Sequence, residues 1–376
     1  MRLSTIKQNG REIAGIVTQT GIFPIEALNA AKGTAWKTEL YELICAGQIP
    51  GLTAWYNAGG RGELESLPGV VPYDKVVYAP LYRNPPRIFG IGLNYVDHAG
   101  DLGESAPVGF PGSFYKPASC IAGPGDDIWI PALPEAKKTT AEAELGIIIG
   151  KPCKFIEEEE WLDYVVGYTT ILDMTEESIL RQNPRFLTLV KGFATFLTFG
   201  PQMVTPDEVP DVLDLEVQSV HNGEVYAKNV VSNMMHQPAK LVSLHSSIQG
   251  WLAGDVLSTG TPRAFHIQDG DVAECRFMHD AFVIGTKANG LYVDVATANV
   301  QATPTIAKSS STWTITSSGA TAIKYTTDGT DPRYSSTRSL VSSGASVTLE
   351  EGQTLRAYAF TEAKYPSPVV EKAYSA

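Results

Sequence analysis

Nowhere in the 376 residues do eighteen apolar residues follow one another, so no stretch reads as a membrane-spanning helix. The first residues, MRLSTIKQNGREIAG, lack a basic region followed by an apolar core and a small-residue cleavage site, and the expected location is cytoplasmic. Positive charge is also short: 29 Lys and Arg stand against 41 Asp and Glu, a balance of −12. No basic run interleaves with aromatics to follow a phosphate backbone. Neither nucleic acid nor a membrane is expected as a partner. Cysteine is scarce, with Cys45, Cys120, Cys153 and Cys275 scattered and no CxxC spacing, which argues for reduced, mostly packed thiols rather than a disulfide framework or a zinc site. Any metal must then be held by oxygen. What the chain does have is apolar material: hydrophobic residues make up 43% and charged residues 19%, enough to build a core and to exclude a disordered polyelectrolyte.

The length predicts two or three domains. Residues 1–75 alternate apolar and polar positions around turn signals such as QNGRE, which predicts a small N-terminal β-rich domain with one or two helices. Residues 79–296 hold long strand-like runs (GIIIG, VVGYTTIL, DVLSTGTP) punctuated by Gly and Pro, and form the expected core domain. In residues 301–376 the composition shifts to 26 Ser and Thr, no Cys and no His. There TWTITSSG, AIKYTTDGTDP, SVTLEEGQ and LRAYAFTE alternate with turn residues at the spacing of a small antiparallel sandwich. The whole reads as a mainly β, α+β protein.

The most informative stretch is AEAELGIIIG, residues 141–150. A strand sends alternate side chains to opposite faces, so Glu142 and Glu144 share one. The apolar continuation implies burial, where like charges must hold a proton or share a cation; the same spacing also fits a strand end with both side chains in water. Asp173 closes the run VVGYTTILD and is expected at a strand terminus beside the same cleft. Three hard oxygen ligands suit Mg²⁺, Mn²⁺ or Ca²⁺ better than zinc. Glu157 to Glu160, just ahead of WLDYV, read as a helix first turn that favours negative charge.

In GIGLNYVDHAGDLGE, His98 and Asp101 are three residues apart, a spacing that places an acid on the same helix face as a base; a surface His with a chance neighbour has the same pattern. Gly103 and residues 108–114 would let this segment act as a mobile cover. Tyr95 is either a packed aromatic or a hydroxyl offered to a ligand. Lys191, between FLTLV and GFATFLTFGP, either snorkels to solvent or stabilises negative charge on a substrate oxygen. STGTP, with Thr261, is a turn through which backbone and hydroxyl groups can approach a carboxylate.

Taken in order, GIGLNYVDH, FYKPAS, AGPGDDIWIP, AEAELGIIIG, ILDMT, VKGFATFLTFGP and LAGDVLSTGTP are similar to the blocks of the fumarylacetoacetate hydrolase family, over about residues 79–294. The tail, through ATPTI, IKYTTDGTDPRYSS and LRAYAF, resembles the C-terminal β-sandwich of chitobiase-like proteins. The first resemblance implies a mixed β-roll fold and a homodimer. It maps the metal ligands onto Glu142, Glu144 and Asp173, the lid base and its acid onto His98 and Asp101, the active-site lysine onto Lys191 and the substrate-carboxylate contact onto Thr261. Mg²⁺, Mn²⁺ or Ca²⁺ would be the cofactor and a small 2-oxo acid the substrate. The implied activity is cleavage of a carbon–carbon bond in a 2,4-dioxo acid of acylpyruvate type. Hydration, isomerisation or oxaloacetate decarboxylation on the same scaffold are alternatives. An alternative of another class is a catalytically weakened binding protein whose tail contacts carbohydrate. The sequence departs from the family pattern at Glu177 and Leu180, where Arg and Gln are common, at Ala194, where Asp is usual, and at Asp101, where Glu is frequent. These departures suggest that oxyanion support has moved, for instance to Arg181 or Gln182.

Overall fold

The computed structural model describes residues 1–95, 109–282, the backbone of 291–297, and residues 301–374 apart from 311, 331, 333, 334, 336, 362–366 and 368. Contacts divide the chain into two compact units: Met1–Trp129 with Ala136–Ala296, and Ile130–Glu135 with Thr297–Ala376. Among the described residues no helix is long and apolar enough to cross a membrane.

The first unit is built on a sheet whose main path runs Val71–Pro72, Gly21–Pro24, Arg11–Val17, Arg2–Gln8, Gln202–Val204, Val165–Glu176, Thr139–Ile149, Val256–Ser258, Ile88–Gly92 and Gly112–Lys116. Its first hairpin closes through Asn9 and Gly10, both at positive φ (51° and 73°), the Asn-Gly pair that a two-residue hairpin turn selects. Segment 1–75, read from the sequence as a leading domain, supplies four strands to this same sheet and clusters with the rest of the first unit. It is also more helical than expected. Ile25–Lys32, Leu40–Cys45, Ile49–Trp55 and Arg61–Leu64 are short helices. Glycine ends the first, where Gly33 turns left-handed at φ 65°, and Pro50 lies in the opening turn of the third.

Two long strands form the middle of the sheet. Thr139–Ile149 and Val165–Glu176 pair antiparallel, and every residue of both is buried. Burial on both faces explains why their apolar residues run on rather than alternate. Gly146 lets them approach: a Cβ there would meet Ile171 Cδ1 at 2.6 Å and Thr169 Cγ2 at 2.7 Å. A second sheet, in which Glu216–His221 lies between Glu224–Val230 and Val272–Phe277, covers one face, and Cys275 Sγ reaches Glu144 O at 3.6 Å. All four cysteines are free thiols, with Cys120 and Cys275 buried, Cys153 half-buried and Cys45 exposed.

The second unit has a three-stranded sheet (Thr305–Ser309, Thr312–Thr316, Ala345–Thr348) and a four-stranded one (Ser339–Val341, Ala322–Thr326, Thr354–Phe360, Val370–Ala373). Trp313, Ile315, Ile323, Val347, Leu349 and Leu355 belong to a core of its own, the sandwich expected from the strand spacing. Ile323→Ala should therefore destabilise this unit by about 2–5 kcal/mol. Differential scanning calorimetry will show one transition move while the other stays in place.

Candidate metal centre

Register brings the acidic residues together. Asp173 lies directly across from Glu142 on the paired strands, and Ile171 lies across from Glu144. Glu142 and Glu144 are two apart on one strand, so all three carboxylates project to one face. They are 7%, 1% and 0% exposed, and one oxygen from each falls within 4.8 Å of the other two. Asp173 is not at a strand terminus, as the sequence suggested, because its strand continues through Met174 and Thr175 to Glu176. Thr175 extends the polar face, and its hydroxyl donates to Glu142 Oε1 at 2.5 Å.

Two buried ammonium groups face the carboxylates. Lys191, the last residue of the short helix Leu187–Lys191, donates to Glu142 Oε2 and Asp173 Oδ2, both at 2.8 Å. Lys116, at the end of the strand Gly112–Lys116, reaches Asp173 Oδ1 at 2.5 Å. Lys191 therefore does not snorkel. Burial alone would lower its basicity, but Asp173, Glu142 and Glu144 more than reverse this and hold its proton more firmly than usual. Lys116 was missed in the sequence, although it sits inside the FYKPAS block. Its signal is a lysine at the end of a strand that begins in glycine and passes through the buried Phe114.

Glu144 is held from the other side. Ser258 Oγ and the Gly260 amide both donate to its Oε2, at 2.5 and 2.8 Å. Burial first, and then the charge of Asp173, push its carboxyl up to about 8, against the opposing pull of Lys191. Three carboxylates thus face two ammonium groups, and without a further cation one acid keeps its proton at neutral pH. A divalent ion relieves that imbalance, and an all-oxygen donor set fits Mg²⁺, Mn²⁺ or Ca²⁺. The residues present fit such an ion.

The other expected residues are placed as follows. Tyr95 is fully buried, and its hydroxyl has no hydrogen-bond partner among the described residues; burial first and then Glu144 raise its pKa. Thr261 is 1% exposed, follows Gly260 directly, and donates to Arg263 O at 3.3 Å. His98, Asp101 and Gly103 lie outside the described residues. Of the expected cover, residues 112–114 belong to a strand paired with Ile88–Gly92, because Gly112 and Ser113 complete its ladder. Glu157 and Glu160 form a capping box on the 3₁₀ helix Glu158–Tyr164, the structural role expected of that acidic run. Arg181, suggested as oxyanion support, instead pairs with the buried Glu177 at 2.5 Å, and Lys138 reaches the same carboxylate at 2.7 Å. Ala194 leaves Lys191 no poorer in partners, since Glu142 and Asp173 serve it.

The family model described as fumarylacetoacetate (FAA) hydrolase C-terminal matches residues 87–291, and one described as Fn3 associated matches residues 313–374. An uncharacterized protein of Methanocaldococcus jannaschii is 37% identical over 192 residues, covering 51% of this chain and 78% of that protein. The crystal structure of maleylpyruvate hydrolase from Sphingobium sp. SYK-6, in complex with manganese(II) and pyruvate, is similar with a TM-score of 0.62 and 28% identity. That match covers 79% of this chain and 99% of the other. Fumarylacetoacetate hydrolase from Exiguobacterium antarcticum gives a TM-score of 0.61 at 25% identity, covering 79% and 99%.

Proposed function

Because this chain belongs to the fumarylacetoacetate hydrolase family, we propose that it is a divalent-metal-dependent enzyme that cleaves a carbon–carbon bond in a 2,4-dioxo acid of acylpyruvate type. The observation that carries this reading is the buried cluster of Glu142, Glu144 and Asp173 facing Lys191 and Lys116. The manganese and pyruvate in the maleylpyruvate hydrolase structure support the same choice of ion and substrate end.

When bound between these carboxylates, Mg²⁺ or Mn²⁺ would supply the Lewis acidity that stabilises an enolate. Glu142, Glu144 and Asp173 hold the ion. Lys191 places its ammonium where negative charge develops on a substrate oxygen. Lys116 keeps Asp173 oriented and adds a second positive charge. Thr261 and the hydroxyl of Tyr95, which has no partner among the described residues, are assigned to the substrate. His98, oriented by Asp101, serves as the base that takes a proton from water attacking the distal carbonyl. The protein is proposed to work as a homodimer.

His98→Ala should lower kcat by about 10²- to 10⁴-fold while leaving Mn²⁺ affinity near that of the wild type. Turnover retained in full would remove His98 from the mechanism. Parallel assays with acetylpyruvate, oxaloacetate and a 2-hydroxydienoate, each with Mg²⁺ and with Mn²⁺, separate cleavage from decarboxylation and from hydration or isomerisation. Acetylpyruvate consumed with release of pyruvate supports the proposal. Turnover of the dienoate alone replaces it with the isomerase reading.

A further inference from the structure

The carboxylate of Glu144 is fixed by a turn, and the turn is itself held by a residue with no assigned role. Asn94 lies two residues beyond the strand Ile88–Gly92 and is 1% exposed. The chain reaches it through Leu93 at φ 58°, a left-handed conformation uncommon outside glycine. Its Nδ2 donates to Thr259 O at 2.8 Å and to His236 O at 3.0 Å, and its Oδ1 accepts from His236 N at 2.8 Å. Its backbone carbonyl accepts from Met235 N at 2.8 Å. Both amide hydrogens and the amide oxygen are therefore in use.

Thr259 stands between the two groups that grip Glu144. Ser258 before it and Gly260 after it donate to the same oxygen, Oε2. Thr259 adds two bonds to Leu145 O, from its amide at 3.1 Å and its hydroxyl at 2.9 Å, and so ties the turn to the strand that carries Glu144. Gly260, at φ 96°, packs so close to Asn94 that a Cβ would lie 2.8 Å from Asn94 Cβ and 3.1 Å from Ile91 O. The turn has little room to move relative to Asn94.

We propose that Asn94 is a positioning residue for the metal centre: by clamping Thr259, it sets the direction from which Ser258 and Gly260 orient Glu144, and thereby the affinity for the divalent ion. The inference rests on the metal reading of the carboxylate cluster. Groups that orient metal ligands commonly contribute 10- to 100-fold in affinity.

The test is Mn²⁺ titration of the full chain, read by electron paramagnetic resonance of the free ion. It compares the wild type with Asn94→Ala, Asn94→Asp and a control, Leu28→Ala. Leu28 is fully buried in the helix Ile25–Lys32, so the control opens a cavity in the core without touching the turn. The expected result is a Kd for Mn²⁺ raised by roughly 10- to 100-fold in the Asn94 variants and by less than about twofold in the control. Melting temperatures are measured alongside to separate this from general loosening. Should Asn94→Ala fail to fold, Asn94→Asp keeps the acceptor for His236 N and the side-chain size and is read by the same criterion. Wild-type affinity in a folded Asn94 variant overturns the inference alone. No Mn²⁺ binding by the wild type overturns the metal reading and this inference with it.

Discussion

Glu144→Gln should lower Mn²⁺ affinity by on the order of 100-fold or more, since the loss of an outer partner alone often reaches 10- to 100-fold, and turnover should fall with it. The argument turns on where this side chain sits. It is 1% exposed, shares a face with Glu142 and Asp173, and takes two donors on Oε2. The amide has nearly the same shape and keeps an acceptor for Ser258 and Gly260, so the strand pairing around it has no reason to change. The negative charge is lost. In the metal-free protein the Glu144 carboxyl, pushed up to about 8, already holds its proton at neutral pH, so the neutral amide changes little there and the melting temperature should stay level. Added Mn²⁺ should raise the melting temperature of the wild type, because a ligand that binds only the folded state stabilises it, and should barely move that of the variant. A variant that melts early and still binds Mn²⁺ normally would mean that Glu144 is a packing residue.

Lys191→Met should lower kcat by roughly 10²- to 10³-fold, the usual effect of removing one group that stabilises a developing oxyanion. Mn²⁺ affinity should not fall. The ammonium lies 2.8 Å from Glu142 Oε2 and from Asp173 Oδ2, so it competes with the ion for the charge of those same carboxylates. Methionine fills much of the volume beside the Phe114 ring, which lies 4.9 Å from Nζ. Lys116 remains on Asp173 and limits the charge left unpaired. Stopped turnover with intact metal binding distinguishes a lysine that acts on the substrate from one that merely neutralises the cluster. Near-normal kcat would assign Lys191 the second role.

The acidic cluster was legible in the sequence because strand geometry is strict. A two-residue spacing puts Glu142 and Glu144 on one face whatever the rest of the chain does. Asp173 was also identified, but its position along the strand was misjudged. The apolar run stops there, yet the strand continues through buried polar residues up to Glu176, whose carboxylate accepts from the backbone amides of Lys137 and Lys138. Lys116 and Asn94 were not legible. Each matters because of partners 57 to 165 residues away, at Asp173 and Thr259, and no local pattern marks such long-range meetings. The C-terminal sandwich was visible from its own alternation, since its inner faces are apolar and its outer faces polar. The N-terminal segment misled for the opposite reason. Its strands look self-sufficient, but Arg2–Gln8 finds a second neighbour in Gln202–Val204, and the sheet runs on through it.

The most direct test is anomalous diffraction from crystals grown with Mn²⁺ and oxalate, a dianion that presents two adjacent oxygens as a 2-oxo acid does. The expected result is a single manganese peak within about 2.6 Å of one oxygen from each of Glu142, Glu144 and Asp173, with oxalate completing its coordination. Absence of that peak, with Lys191 still bridging Glu142 and Asp173 and Lys116 still on Asp173, would contradict the account.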